Sequence, residues 1–157
     1  AGLICYGSLD QLPECSPAMV MLAVKPQIME KVAAGYVDLV RRSQAAVISI
    51  AAGVGMRSFE SWFGADTPIV RVMPNTPAAV GAGMSLLLRN EAVSDETAAL
   101  SEIMLNAVGK SIWVQTEAQI KRYDHELHKR PVERIDQKET HMQVLTRGKT
   151  KQEKKNN

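Results

Sequence analysis

Three short strings hold the residues best suited to chemistry: Ala23-Val24-Lys25-Pro26, Ala51-Ala52-Gly53 and Pro74-Asn75-Thr76-Pro77. Lys25 offers a compact positive charge that suits a phosphate or a carboxylate. Ala51, Ala52 and Gly53 carry almost no side chain, so a flat ligand can approach the backbone closely. Asn75 and Thr76 supply donors and acceptors, and the flanking prolines restrict the backbone that carries them. Each string also has a plainer account: a solvated charge, a tight turn onto a helix, a rigid turn between prolines. Their common position at the ends of successive strands favours the functional account. No catalytic residue is identified among them.

Other constellations are weaker. The dinucleotide fingerprint Gly-x-Gly-x-x-Gly is missing, because Gly53-Val54-Gly55 is followed by Ser58 and Gly81-Ala82-Gly83 by Leu86 at the third position. His125 and His128 flank Glu126 without further ligands, so a solvated helix face is the better account and no metal site is expected. Cys5 and Cys15 provide neither a disulfide framework nor a ligand set, which suits a reducing, cytoplasmic setting.

The elements that would carry these strings follow from apolar runs and their period. Residues 20–24, 46–51 and 69–73 are short continuous apolar runs, the pattern of strands covered on both faces. Residues 84–88 and 111–114 are expected as further strands, and residues 3–6 as a possible one. Helical spacing covers 27–42, with Arg41 and Arg42 at the end that favours cations. A short helix is expected over 56–63, ended by Gly64. Another starts after Ser94, with Asp95 and Glu96 in its first turn, and is expected to end at Gly109. Alternation of strand and helix predicts an α/β fold with a mainly parallel sheet. In such sheets ligands bind beyond the carboxyl ends of the strands. If the first three strands are parallel neighbours, the three strings share one rim.

The 157 residues suit one domain, with 45% apolar and 23% charged residues and a net charge of +2. No apolar run approaches the roughly 20 residues of a membrane-spanning helix, and no secretory signal opens the chain. The near-neutral total conceals a division. Residues 1–119 hold 8 Lys and Arg against 11 Asp and Glu, whereas residues 120–157 hold 11 against 6 and all 3 His. Apolar residues are sparse after Gln119, too sparse to offset the entropy of ordering a long segment. The expectation is a domain over 1–119 and a basic, partly disordered tail over 120–157, with a helix over 120–130 stopped by Pro131. The tail lacks interleaved aromatics, so nucleic acid is not an expected partner.

The strings Ala23-Val24-Lys25-Pro26-Gln27, Ser49-Ile50-Ala51-Ala52-Gly53-Val54 and Arg71-Val72-Met73-Pro74-Asn75-Thr76-Pro77, in this order and spacing, resemble pyrroline-5-carboxylate reductase. The third is the most specific, and the resemblance covers about residues 1–117. It implies an incomplete Rossmann-like, mainly parallel sheet with flanking helices, followed by a polar basic tail. It implies NADPH, or NADH, as hydride donor to the C=N carbon of 1-pyrroline-5-carboxylate, the last step of proline biosynthesis. It implies that Ala23, Val24, Lys25, Pro26, Ala51 and Ala52 line the cofactor site, with Asn75 and Thr76 near the nicotinamide. Asp10 matches a position where the family often has an Asn contacting the cofactor, and a carboxylate there would repel phosphate.

The resemblance also places the family's opening strand, Gly-rich loop and helix ahead of the matched stretch. The family's helical domain, which builds homo-oligomers and most of the substrate site, follows that stretch. The 157 residues are therefore expected to be a fragment with little or no activity alone, whose tail is unrelated to the family. Two other readings stand beside this one: a non-enzymatic interaction protein that uses the half-domain edge or the tail, and another Rossmann-type reductase of small metabolites.

Overall fold

The computed structural model describes residues 4–75, 77–78, 81 and 83–129, the last six of these by their backbone alone. Strand β1 (Met19–Leu22) stops short of Lys25-Pro26, and Pro26 opens a 3₁₀ turn that leads into helix α1 (Met29–Ser43). A proline suits that place because the first turn of a helix leaves its N–H unused. Met29, Ala33 and Val40 are buried on one side of α1, and Arg41 and Arg42 occupy its last turn. The chain leaves α1 through Gln44, in the left-handed region, and enters β2 (Ala46–Ser49), every residue of which is buried. Helix α2 (Met56–Phe63) ends at Gly64, and Phe59 meets Trp62 edge to face with centroids 5.4 Å apart. Strand β3 (Ile69–Met73) is buried throughout.

The link of residues 74–82 is too short for the dozen or more residues that a parallel crossover requires. Strand β4 (Gly83–Arg89) accordingly runs antiparallel to β3. Helix α3 (Asp95–Asn106) is capped by Ser94, whose Oγ accepts the Thr97 N–H at 3.2 Å. Strand β5 (Gly109–Trp113) then pairs parallel with β4, and α4 (Glu117–Lys129) follows. The sheet order is β1-β2-β3-β4-β5, with three of its four pairings parallel. The expected mainly parallel α/β sheet is therefore present.

Side chains alternate across this sheet. On one face Val20, Leu22, Val47, Ile69, Met73, Leu86 and Leu88 pack with Met29, Phe59 and Ile120 from α1, α2 and α4. On the other, Ile48, Val70, Val72 and Leu87 pack with Ala98 and Leu105 of α3.

Three expectations differ from the structure. Gly109 opens β5 and does not terminate α3, which ends at Asn106. Its φ is +150°, and a Cβ there would stand 2.1 Å from the Gly83 carbonyl oxygen, so the glycine serves the close approach of β4 and β5. Residues 4–6 are not a strand, and Leu3 lies outside the described residues. The expected division at 119/120 falls inside α4, where Ile120 is 1% exposed and Tyr123 is half-buried against the same core. Residues 130–157 lie outside the described residues.

Candidate functional site

The register Leu22↔Ser49↔Arg71 aligns β1, β2 and β3 as parallel neighbours. Their carboxyl ends therefore open on one rim, where the three strings emerge. Lys25 is exposed at the start of the 3₁₀ turn, and among the described residues no carboxylate pairs with it. Ala23 and Pro26 are exposed beside it, and Val24 is half-buried against the core. Ala51 is buried while Ala52 and Gly53 are exposed. Gly53 has a φ of +81° with open space where a Cβ would stand, so the turn presents bare backbone at the rim. Asn75 is half-buried, and Thr76 lies outside the described residues. Asp10 is exposed in a 3₁₀ turn over Leu9–Gln11.

Buried polar groups hold these loops. The Ser49 hydroxyl, fully buried, accepts the Ala51 N–H at 3.3 Å and fixes the turn out of β2. The Asn75 Oδ1 accepts the Met84 N–H at 2.9 Å, tying the link after β3 to the start of β4. Arg71 sits within the apolar β3 and is 4% exposed. Its guanidinium is paired by the Glu117 carboxylate, although its Nε–H has no partner among the described residues. The other carboxylate oxygen of Glu117 accepts the Met56 N–H at 2.7 Å, at the N-terminus of α2. A carboxylate there is favoured twice, by the guanidinium and by the positive end of the helix dipole. Tyr123, two turns further along α4, hydrogen-bonds the Asn75 side chain. Burial pushes its phenol above the ordinary value, and that hydrogen bond partly offsets the rise.

Between α2, β3 and α4 lies a cavity of about 480 Å³. Gly53, Gly55, Met56, Arg71, Glu117 and Ile120 are among the residues in its wall. None of the seven described residues among the eight expected to contact the cofactor belongs to that wall; they emerge beside it along the rim. Of the wall residues, sequence reasoning singled out Gly53 but not Arg71, Glu117 or Ile120. One signal for these was present: an arginine inside the run Ile69-Val70-Arg71-Val72-Met73 is a buried charge that needs a counter-charge. Nothing local identified Glu117 as its companion, or Tyr123 as that of Asn75.

The residues present suit a flat, anionic ligand. The rim offers an unpaired ammonium, bare backbone at Gly53 and a fixed side-chain amide, with no described acid among the three strings. Among the described residues no group of His, Cys, Asp and Glu could hold a metal ion.

No protein-family model matches the chain. It is 46% identical over 100 residues to the pyrroline-5-carboxylate reductase of Pasteurella multocida, a match covering 64% of this chain and 36% of that protein. It is similar to the solved structure of a pyrroline-5-carboxylate reductase from Coxiella burnetii, with a TM-score of 0.65 and 40% identity over 68% of this chain and 39% of that one. The Plasmodium falciparum pyrroline carboxylate reductase, solved with NADP bound, shares the fold at a TM-score of 0.60 and 24% identity. That match covers 69% of this chain and 46% of that one. The chain spans less than half the length of each of these relatives. Its five-stranded sheet with flanking helices matches their Rossmann-like fold.

Proposed function

We propose, from this likeness to the pyrroline-5-carboxylate reductases, that the chain is the nicotinamide-side part of such a reductase. The whole enzyme would convert 1-pyrroline-5-carboxylate to L-proline, the final step of proline biosynthesis, in the cytoplasm. The observation that carries this reading is the gathering of Lys25, Ala52 and Asn75 on one rim, at the ends of three neighbouring parallel strands. When bound, NADPH or NADH supplies the hydride.

The chain's own residues bind and orient. Lys25 meets an anionic part of the cofactor as a point charge. Ala23, Val24 and Pro26 shape the first loop, and the small Ala51 and Ala52 let a flat ring lie against backbone. Asn75, held by the Met84 N–H, fixes the nicotinamide end together with Thr76. Ser49 keeps the middle loop from moving as the ligand enters. Water exclusion at the reacting carbon, the substrate pocket and assembly into homo-oligomers belong to the whole reductase. The 157 residues alone are therefore expected to have little or no reductase activity, and sustained proline formation by them would overturn that expectation.

Titration of the chain with NADPH, followed residue by residue through amide chemical shifts, tests the reading. The largest changes are expected at residues 23–25, 51–53 and 75–76, and Lys25→Ala is expected to weaken binding about 10-fold, the order of one hydrogen bond to a charged group. Changes confined to other regions, or no saturable change, would refute it.

A further inference from the structure

Helix α4 begins two residues before the expected end of the folded unit, and its first two turns touch the rim at two separate places. Glu117, Ile120 and Tyr123 recur every three residues and so share one face of the helix. Ile120 anchors that face in the core. Glu117 reaches the N-terminus of α2 and Arg71 in the middle of β3, closing one side of the cavity behind Gly53. Tyr123 reaches Asn75, the residue that also holds the start of β4.

We infer that the first two turns of α4 form a clamp on the candidate cofactor rim, with Glu117 and Tyr123 as positioning residues for the Gly53–Met56 turn and for Asn75. The clamp itself stands on these contacts; its consequence for cofactor binding rests on the function proposed above. Physically, each contact removes a freedom that the ligand would otherwise have to freeze. Without Glu117, the α2 N-terminus loses its acceptor and the buried Arg71 loses its counter-charge. Without the Tyr123 hydroxyl, the Asn75 amide loses one of its two holds and can rotate away from the pose that accepts the Met84 N–H. A rim preorganised in this way binds more tightly because less ordering accompanies binding. Residues taken from the sequence as part of a tail thereby act on the site.

The test compares the 157-residue chain with Tyr123→Phe, Glu117→Gln and Glu117→Ala, reading amide hydrogen exchange and NADPH titration together. Tyr123→Phe is expected to speed exchange of the Met84 N–H about 3- to 10-fold, the worth of one hydrogen bond, and to raise the NADPH dissociation constant by a similar factor. The central amides of Ile48 and Val70 are expected to keep their rates, which a general loss of stability would not allow. Glu117→Ala is expected to expose the Met56 N–H, and Glu117→Gln, which retains a side-chain oxygen, to restore much of its protection. Unchanged exchange at Met84 in Tyr123→Phe overturns the clamp, and this variant decides the matter if Glu117→Ala fails to fold. Faster exchange with unchanged NADPH affinity overturns the positioning role. If the parent chain does not bind NADPH, the cofactor reading fails instead, and exchange alone decides the clamp.

Discussion

Tyr123 links burial to pH in a way that a single substitution can isolate. Its phenol lies against the core and titrates above the ordinary value of about 10, chiefly because burial disfavours the phenolate. A group whose folded pKa is raised stabilises the fold at pH values below its unfolded pKa. That contribution is lost as pH rises through the folded pKa, because the unfolded chain gives up the proton first. The stability of the chain is thus expected to fall as pH rises above about 10, and Tyr123→Phe to reduce that decline. Chemical unfolding of both proteins at neutral and alkaline pH checks this, and parallel pH profiles would refute it. Arg71 illustrates the other side of residue-scale reading. Its need for a partner is evident from its apolar neighbours, but the partner is 46 positions away.

At the scale of elements, apolar runs located all five strands and the main helices, and the boundaries moved for identifiable reasons. Strand β1 stops at Leu22 because the chain turns at Lys25-Pro26 into a 3₁₀ turn. Ser94 caps α3 as its type and spacing imply. Gly109 was expected as a helix terminator, since a glycine after a helix suits its C-terminal cap; it instead opens a strand that approaches another backbone closely, in register with Gly83. Gly109→Ala would drive its Cβ into the Gly83 carbonyl and is expected to destabilise the protein by about 3 kcal/mol, as overpacking against backbone does. Gly53→Ala, with nothing within 4 Å of the new Cβ, incurs only the strain of its positive φ, about 1 kcal/mol. Urea unfolding of the two variants distinguishes them, and equal costs would contradict the close approach of β4 and β5.

Across the whole molecule, the strand order leaves β1 at an edge of the sheet with Met21 42% exposed. Unpaired strand edges with apolar side chains promote association between chains. Met21→Lys is expected to lower the tendency of the 157-residue chain to self-associate without disturbing the register of β1 with β2. Sedimentation at increasing concentration checks this, and identical behaviour of parent and variant would show that β1 is not the adhesive surface. Among the described residues no helix is long and apolar enough to cross a membrane.

The sequence by itself determined the alternation of strand and helix, the three loops of the rim and the resemblance that gives them meaning. These rest on local facts: apolar runs, prolines, glycines and a short, specific string. Tertiary structure alone decided which strands are neighbours, that the rim is shared, and that α4 belongs to the packed body. Helical and strand periodicity speak only for residues a few positions apart. The contacts that bind Glu117 to Met56 and to Arg71 join residues 61 and 46 positions distant. The polar composition after Gln119 carried no information that Ile120 and Tyr123 are residues the core takes.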